Sequence, residues 1–96
     1  MLQGYTMSRH LCEERADRLT RIAMTIGFGE VIKETYHVEA TTLLTNTGVV
    51  YVVNKAQKYI ITVYVATLDE VLAMYDGNAP VSLVNKARKN ERKFWG

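Results

Sequence analysis

The residues of this sequence with the clearest chemical potential are its two histidines, His10 and His37. Imidazoles titrate near neutral pH, so a pair of them can cleave an RNA phosphodiester. One takes the 2′-hydroxyl proton and the other protonates the leaving oxygen. An arginine or lysine would stabilise the charge that develops on phosphorus. The sequence does not show that the two histidines meet, so an ordinary polar role stays open for both.

Arg15 lies where an amphipathic helix carries its apolar side chains. At about 100° per residue it falls on the apolar arc of the first predicted helix, between Leu19 and Ile22, while the other charges fall opposite. Its guanidinium could clamp a phosphate at the edge of a cleft. It could equally snorkel to the rim, or pair with a buried carbonyl or a carboxylate such as Glu34 or Glu39. Both interpretations stay open.

Hydroxyl and basic side chains follow one face of the predicted sheet. Thr62 and Tyr64 alternate with apolar residues in the last strand, and Lys33 and Thr35 alternate in the first. Such a face could line a catalytic cleft, or it could be the solvated side of an antiparallel sheet. In the functional interpretation Lys33 joins Arg15 as the phosphate clamp. The catalytic candidates are His10, Arg15, His37, Thr62 and Tyr64.

The elements that must position these residues follow from hydrophobic periodicity and capping signals. Ser8 is a suitable N-cap for the first helix, and Thr67 with Glu70 has the spacing of a capping box. The predicted elements are a helix over 8–25, strands over 30–38, 41–44, 49–53 and 58–66, and helices over 67–77 and 80–93. We therefore predict one α+β domain, residues 1–96. An N-terminal helix packs on a meander of about four antiparallel strands, followed by two short C-terminal helices.

Composition excludes several classes of protein. The chain is 96 residues long and 48% hydrophobic, which is typical of one globular domain. A single cysteine, Cys12, excludes an internal disulfide framework and a cysteine zinc cluster, and it favours a cytoplasmic setting. The start lacks the pattern of a secretory signal, and no apolar run approaches the roughly 20 residues of a membrane span. Nucleotide-loop and zinc-protease motifs are missing, so we expect no cofactor and no metal.

Positive charge is concentrated at the C-terminus, although the net charge is only +2. Glu91 is the one acid among the last eleven residues. The cations of this segment, our candidate nucleic-acid contacts together with Lys33, are Lys86, Arg88, Lys89, Arg92 and Lys93. Such a patch attracts phosphate backbones or acidic protein surfaces, while a short solubilising tail is the plain alternative.

Two parts of the sequence carry a resemblance to known proteins. Ser8 and His10 are followed five residues later by Arg15, and the last strand carries Thr62 before Tyr64. This pattern resembles the toxin-type ribonuclease superfamily of barnase, EndoU, colicin and Rel-type proteins. The resemblance implies a helix on a four-stranded antiparallel sheet and RNA cleavage without metal.

The turn at residues 76–80 and the basic tail that follows it also look like those of bacteriophage or prophage accessory proteins. That second resemblance implies binding of a host protein. We therefore expect a protein that engages RNA, in its sharpest form a metal-independent ribonuclease-like toxin. The alternative is a non-catalytic accessory protein that binds a host protein through Phe94, Trp95 and the basic helix. A homodimer that buries Trp95 is a third possibility.

Overall fold

The computed structural model describes residues 2–95, apart from the side chain of Glu14, and they form a five-stranded sheet with helices on both faces. In chain order the elements are β1 (Thr6–Met7), α1 (Arg9–Glu14), α2 (Ala16–Thr25), β2 (Val31–Tyr36), β3 (Thr41–Thr45), β4 (Val49–Asn54), β5 (Tyr59–Val65), α3 (Leu68–Met74) and α4 (Val81–Asn90). A π-helical turn, Glu91–Trp95, continues α4 to the end of the described chain.

The sheet has the strand order β1-β5-β4-β3-β2. Strands β2 to β5 are successive antiparallel neighbours, and β1 pairs with β5 in parallel. The β3–β4 hairpin closes at Gly48, whose φ of 90° is accessible to glycine at little cost. The Thr45 hydroxyl accepts the Val49 amide across this turn at 3.1 Å. Strand β2 is therefore one edge of the sheet, and the two-residue β1 is the other.

The α+β class with a mostly antiparallel sheet is confirmed, but the predicted arrangement is wrong. A strand precedes the first helix, and the predicted helix over 8–25 is two helices. Strand β1 is not predicted from the sequence, because two residues are too few to show the alternation of apolar and polar side chains that marks a strand. It exists through long-range pairing, in which the Thr6 amide donates to the Lys58 carbonyl at 2.9 Å.

The first helix breaks at Arg15, whose backbone has φ −120° and ψ 12°. Ser8 caps α1 as predicted, and its hydroxyl accepts the Leu11 amide at 3.0 Å. A regular helical wheel does not hold across the break. As a result Arg18, predicted to face outward, is half-buried like Arg15.

Apolar side chains cover both faces of the sheet and give three layers. On one face Leu11 and Ile22 of the first helices meet Tyr51 and Val63 of the central strands. On the other face Val71 of α3 packs with Leu44 and Val50, and α4 adds its own apolar side chains to this cluster. We call these the α1–α2 face and the α3–α4 face. Burial of valines on both sides explains the near-continuous apolar run of β4.

The C-terminal segment passes from one face of the sheet to the other. Leu83 and Ala87 pack on the α3–α4 face, whereas Phe94 joins the core of the α1–α2 face. Between them Asn90 is buried, and its amide Nδ2 donates to the Thr47 carbonyl in the β3–β4 turn at 2.8 Å. The hairpin turn therefore holds the point where the helix crosses the end of the sheet.

Candidate functional site

A cleft of about 330 Å³ lies between α3 and the part of the sheet that α3 does not cover. It is lined by Thr35, His37, Thr42, Tyr64, Glu70, Ala73 and Met74. We call it the α3 cleft. Its floor is made of strand hydroxyls, and its helical wall combines one carboxylate with apolar side chains. The cleft is at the lower end of the size range of small-molecule sites.

The register of the sheet explains why hydroxyls gather in this cleft. Successive pairings join one residue from each of strands β2 to β5, so one row of side chains crosses four strands. In order across the sheet these residues are Thr35, Thr42, Val52 and Thr62. Directly paired residues share a face of a sheet. Tyr64 stands on the same face, two residues along β5. The predicted grouping of Lys33, Thr35, Thr62 and Tyr64 on one sheet face agrees with this register.

Glu70 gives the α3 cleft its negative charge. Its Oε1 accepts from the Thr67 amide at 3.0 Å and from the Thr67 hydroxyl at 3.1 Å, which completes the predicted capping box. Burial, and then the charge of Glu70, raise the pKa of the Tyr64 hydroxyl above its ordinary value. Tyr64 is therefore held neutral beside a carboxylate.

The catalytic candidates do not all meet in one place. His37 and Tyr64 line the α3 cleft, and Thr62 stands on the same sheet face. His10 is exposed on α1, which is anchored to β5 by the Ser8 hydroxyl and the Ile61 carbonyl at 3.0 Å. Strand β5 is separated from β2, which precedes His37, by three interstrand spacings, about 14 Å. The two histidines therefore do not form a common acid–base pair in this structure.

Arg15 and Lys33 lie on opposite sides of the sheet. Arg15 joins the helices of the α1–α2 face. Its side chain has no hydrogen-bond or carboxylate partner among the described side chains, and neither Glu34 nor Glu39 pairs with it. The Lys33 ammonium lies 4.8 Å from the centre of the Tyr75 ring, at the end of α3. The structure therefore does not assemble the predicted phosphate clamp from Arg15 and Lys33.

Glu34 has a partner on the neighbouring hairpin instead. Its Oε1 accepts from the Lys55 ammonium at 2.9 Å, and its Oε2 accepts from the Tyr36 hydroxyl at 3.1 Å. These two hydrogen bonds, the one from Lys55 first, lower the pKa of Glu34. The group is exposed, so the pair is of little consequence for stability.

The predicted nucleic-acid contacts of the C-terminal segment share one surface. The buried side of α4 and its π-helical extension consists of Leu83, Ala87, Asn90 and Phe94. Every cation of the segment is exposed on the remaining sides: Lys86, Arg88, Lys89, Arg92 and Lys93. Trp95 follows them and is 50% exposed. We call these five cations and Trp95 the C-terminal basic surface.

Arg21 fixes the end of this surface to α2. Its guanidinium donates to the Phe94 carbonyl at 2.7 Å and lies 4.5 Å from the centre of the Phe94 ring. Phe94 in turn meets Trp95 edge to face, with ring centres 5.3 Å apart. A second cleft of about 280 Å³ lies between these groups and is lined by Asp17, Arg18, Arg21, Phe94 and Trp95.

Arg18 adds a constrained positive charge beside Trp95. Its guanidinium approaches the Val63 carbonyl at 3.5 Å. Burial, and then the neighbouring charge of Arg15, lower the pKa of Arg18 from its ordinary value. Two arginines that repel one another at the edge of the core favour an anion nearby.

Sequence reasoning missed several residues of these two clefts. Thr42 lies in a predicted strand, and pairing of that strand with β2 would have placed it beside Thr35. The capping-box pattern predicts a partner for one carboxylate oxygen of Glu70, Oε1, and says nothing of the second oxygen, which is left for the cleft. Arg18 and Arg21 are among the charges that the helical periodicity places opposite the apolar arc, and no local signal shows that the chain end returns to α2.

Two kinds of feature are missing from the part of the chain that the structure describes. Among the described side chains, no three of histidine, cysteine, aspartate or glutamate are grouped closely enough to hold a metal ion. No helix in this range is long and apolar enough to cross a membrane.

Comparison with known proteins gives no information on function, so a functional proposal must be argued from the fold and the two clefts. Scans of protein families, curated proteins and solved structures found no match to this chain. The resemblances to toxin-type ribonucleases and to phage accessory proteins therefore stay predictions.

Proposed function

We propose that this protein binds single-stranded RNA through the C-terminal basic surface. The observation that carries the proposal is the segregation of charge along the last helix. Its five cations all face solvent, and the helix leads into a half-exposed tryptophan. A row of cations that tracks a backbone, next to an aromatic ring on which a base can stack, is the common arrangement of proteins that bind single strands.

Glu91, the acid of this segment, does not neutralise the surface. Its Oε1 accepts the Leu68 amide at 2.8 Å, at the first turn of α3. Amides there have no partner within their own helix, and the end of a helix dipole favours a negative charge. The Glu91 carboxylate therefore binds the N-terminus of α3, and the positive charge of the five cations remains directed toward solvent.

Trp95 is positioned to act as a stacking platform. It rests edge to face on Phe94, whose carbonyl and ring are both held by Arg21. A fixed ring loses little conformational freedom when a base stacks on it, and Arg18 and Arg21 lie close enough to attract the phosphates on either side. Asp17 lines the same cleft, so we expect contact with the RNA on the arginine side of the ring.

The proposal is limited to binding. The cleavage mechanism predicted from His10 and His37 needs both imidazoles at one phosphate, whereas the strands that position them, β5 and β2, lie about 14 Å apart. The host-protein alternative needs Phe94 as an exposed contact, whereas Phe94 is only 5% exposed. Binding of RNA requires neither two histidines at one phosphate nor an exposed Phe94.

The test uses the fluorescence of Trp95, the single tryptophan of the chain. Titration with a single-stranded oligouridylate at low salt should quench this fluorescence saturably, because a stacked base contacts the indole directly. In an anisotropy assay with labelled RNA, Trp95→Leu should weaken binding about fivefold or more, since base stacking contributes about 1–3 kcal/mol.

Tyr36→Leu is the matched control, because it removes a 69% exposed aromatic ring from the distant strand β2. The control should bind like the parent protein. Absence of quenching and of binding by folded protein at low salt would refute the proposal, and so would equal losses in the two variants.

A further inference from the structure

The α3 cleft has features of a ligand site that the proposed function does not use. Its floor carries hydroxyls of Thr35, Thr42 and Tyr64, and none of the three donates to or accepts from any residue within 2–95. No side-chain oxygen in that range is both fully buried and unpartnered. These hydroxyls therefore open into the cleft, including that of Thr42, a residue only 9% exposed.

The charge of the cleft selects for a positive ligand. Glu70 is the one carboxylate among its lining residues, and its Oε1 is occupied by Thr67. Its Oε2 makes no hydrogen bond with the described residues and can accept from a ligand. Lys33 is not among the lining residues, and its ammonium lies over the Tyr75 ring. His37 is the one basic side chain of the lining.

We propose that the α3 cleft binds a small primary ammonium ion on a short alkyl chain. An ammonium group has three donors and no acceptor, which matches one carboxylate oxygen and two hydroxyl oxygens that lack protein partners. Glu70, Tyr64 and Thr42 supply these acceptors. The alkyl chain would lie on the apolar side chains of Ala73 and Met74. The proposal is independent of RNA binding, which uses the C-terminal basic surface and none of the residues that line the α3 cleft.

The probe is n-pentylammonium chloride, with 1-pentanol as a neutral ligand of the same shape. Titration of the full chain is followed by amide chemical shifts in ¹H–¹⁵N spectra, with ionic strength held constant by sodium chloride. Pentylammonium should shift the amides of Thr35, Thr42, Tyr64 and Met74 saturably, and pentanol should bind at least about fivefold more weakly. Equal binding of the two ligands, or no saturable shifts at these amides, would overturn the proposal.

Glu70→Gln separates charge from structure. Glutamine serves in a capping box as glutamate does, so α3 keeps its N-terminus while the cleft loses its charge. We expect the affinity for pentylammonium to fall about tenfold, the effect of losing one charge-assisted hydrogen bond. Asp69→Asn removes the same charge from the adjacent exposed residue and should leave the affinity unchanged. Equal weakening by the two substitutions would show a general charge effect and refute the site.

Tyr64→Phe provides a second variant that does not touch the cap of α3. It removes one acceptor from the cleft and leaves every charge in place. The proposal predicts about a threefold or greater loss of pentylammonium affinity with no change for pentanol. An unchanged affinity for pentylammonium would contradict the assigned hydroxyl contact and, with it, the proposed geometry.

Discussion

Arg18 and Arg21 show how single charged residues connect the core to the basic surface. Arg18 is half-buried, and its pKa is lowered by burial and by Arg15. Arg21 binds both the carbonyl and the ring of Phe94. Neither guanidinium is paired with a carboxylate among the described side chains, which do not include that of Glu14. Both therefore remain able to attract a phosphate next to Trp95.

Tyr51 gives the fold a pH dependence that can be measured. This side chain is 1% exposed, and burial raises its pKa from 10.0 to about 12. Between these values the unfolded tyrosine has lost its proton and the folded one keeps it, so unfolding releases a proton. The free energy of unfolding should therefore fall as pH rises from about 10 to about 12, by about 2 to 3 kcal/mol from this residue.

Urea denaturation of the parent protein and of Tyr51→Phe across this pH range isolates the contribution of Tyr51. Lysine titration affects both proteins alike, and phenylalanine removes only the ionisable hydroxyl. The stability of the variant should change less steeply with pH than that of the parent. Parallel curves would show that the Tyr51 hydroxyl reaches water in the folded protein.

At the scale of elements, the contact of the last turn with α2 determines where the basic surface ends. Phe94 is held by packing in the core and by Arg21, while Asn90 holds the preceding turn to Thr47. Without these contacts the residues after α4 would fray, as short helical ends do. Trp95 would then lose its fixed position.

Arg21→Ala should loosen the π-helical turn, Glu91–Trp95, because it removes a hydrogen bond to Phe94 and a cation–π contact. We expect a loss of about 1 kcal/mol in the free energy of unfolding and faster amide hydrogen exchange after residue 90. Arg9→Ala is the control, since its exposed i,i+4 pair with Glu13 contributes at most about 0.5 kcal/mol. Unchanged exchange after residue 90 in Arg21→Ala would contradict the anchoring role.

The features that the sequence predicts correctly are those set by neighbouring residues. The Ser8 cap and the capping box of Thr67 with Glu70 both depend on contacts within a few positions, so their spacing is visible in the sequence. The break at Arg15 and the pairing of β1 with β5 depend on packing between distant segments. The register that joins Thr35, Thr42 and Thr62 likewise arises only when four strands assemble.

The candidate sites likewise combine features that neighbouring residues set with features that distant segments set. The cations of the C-terminal basic surface lie within one helix, so the sequence shows them together. The return of Phe94 to Arg21 across the end of the sheet cannot be seen locally. For the same reason the sequence suggested one site from His10 and His37, whereas the fold separates them.

In the whole molecule, the two candidate sites are built from different residues and differ in charge. The α3 cleft carries a carboxylate among hydroxyls, and the C-terminal basic surface carries cations next to Trp95. With a net charge of only +2, attraction of a polyanion depends on this segregation rather than on the total. Binding should therefore depend on which cations are removed and not only on how many.

The salt dependence of RNA binding distinguishes the C-terminal basic surface from the other cations of the protein. The slope of log affinity against log salt concentration measures the cations that contact phosphates, at about 0.7 per contact for a single strand. Lys89→Gln with Arg92→Gln should reduce the slope by about 1.4. Arg9→Gln with Lys58→Gln removes the same charge elsewhere and should leave the slope unchanged. Equal slopes in the two double variants would contradict binding through the C-terminal basic surface.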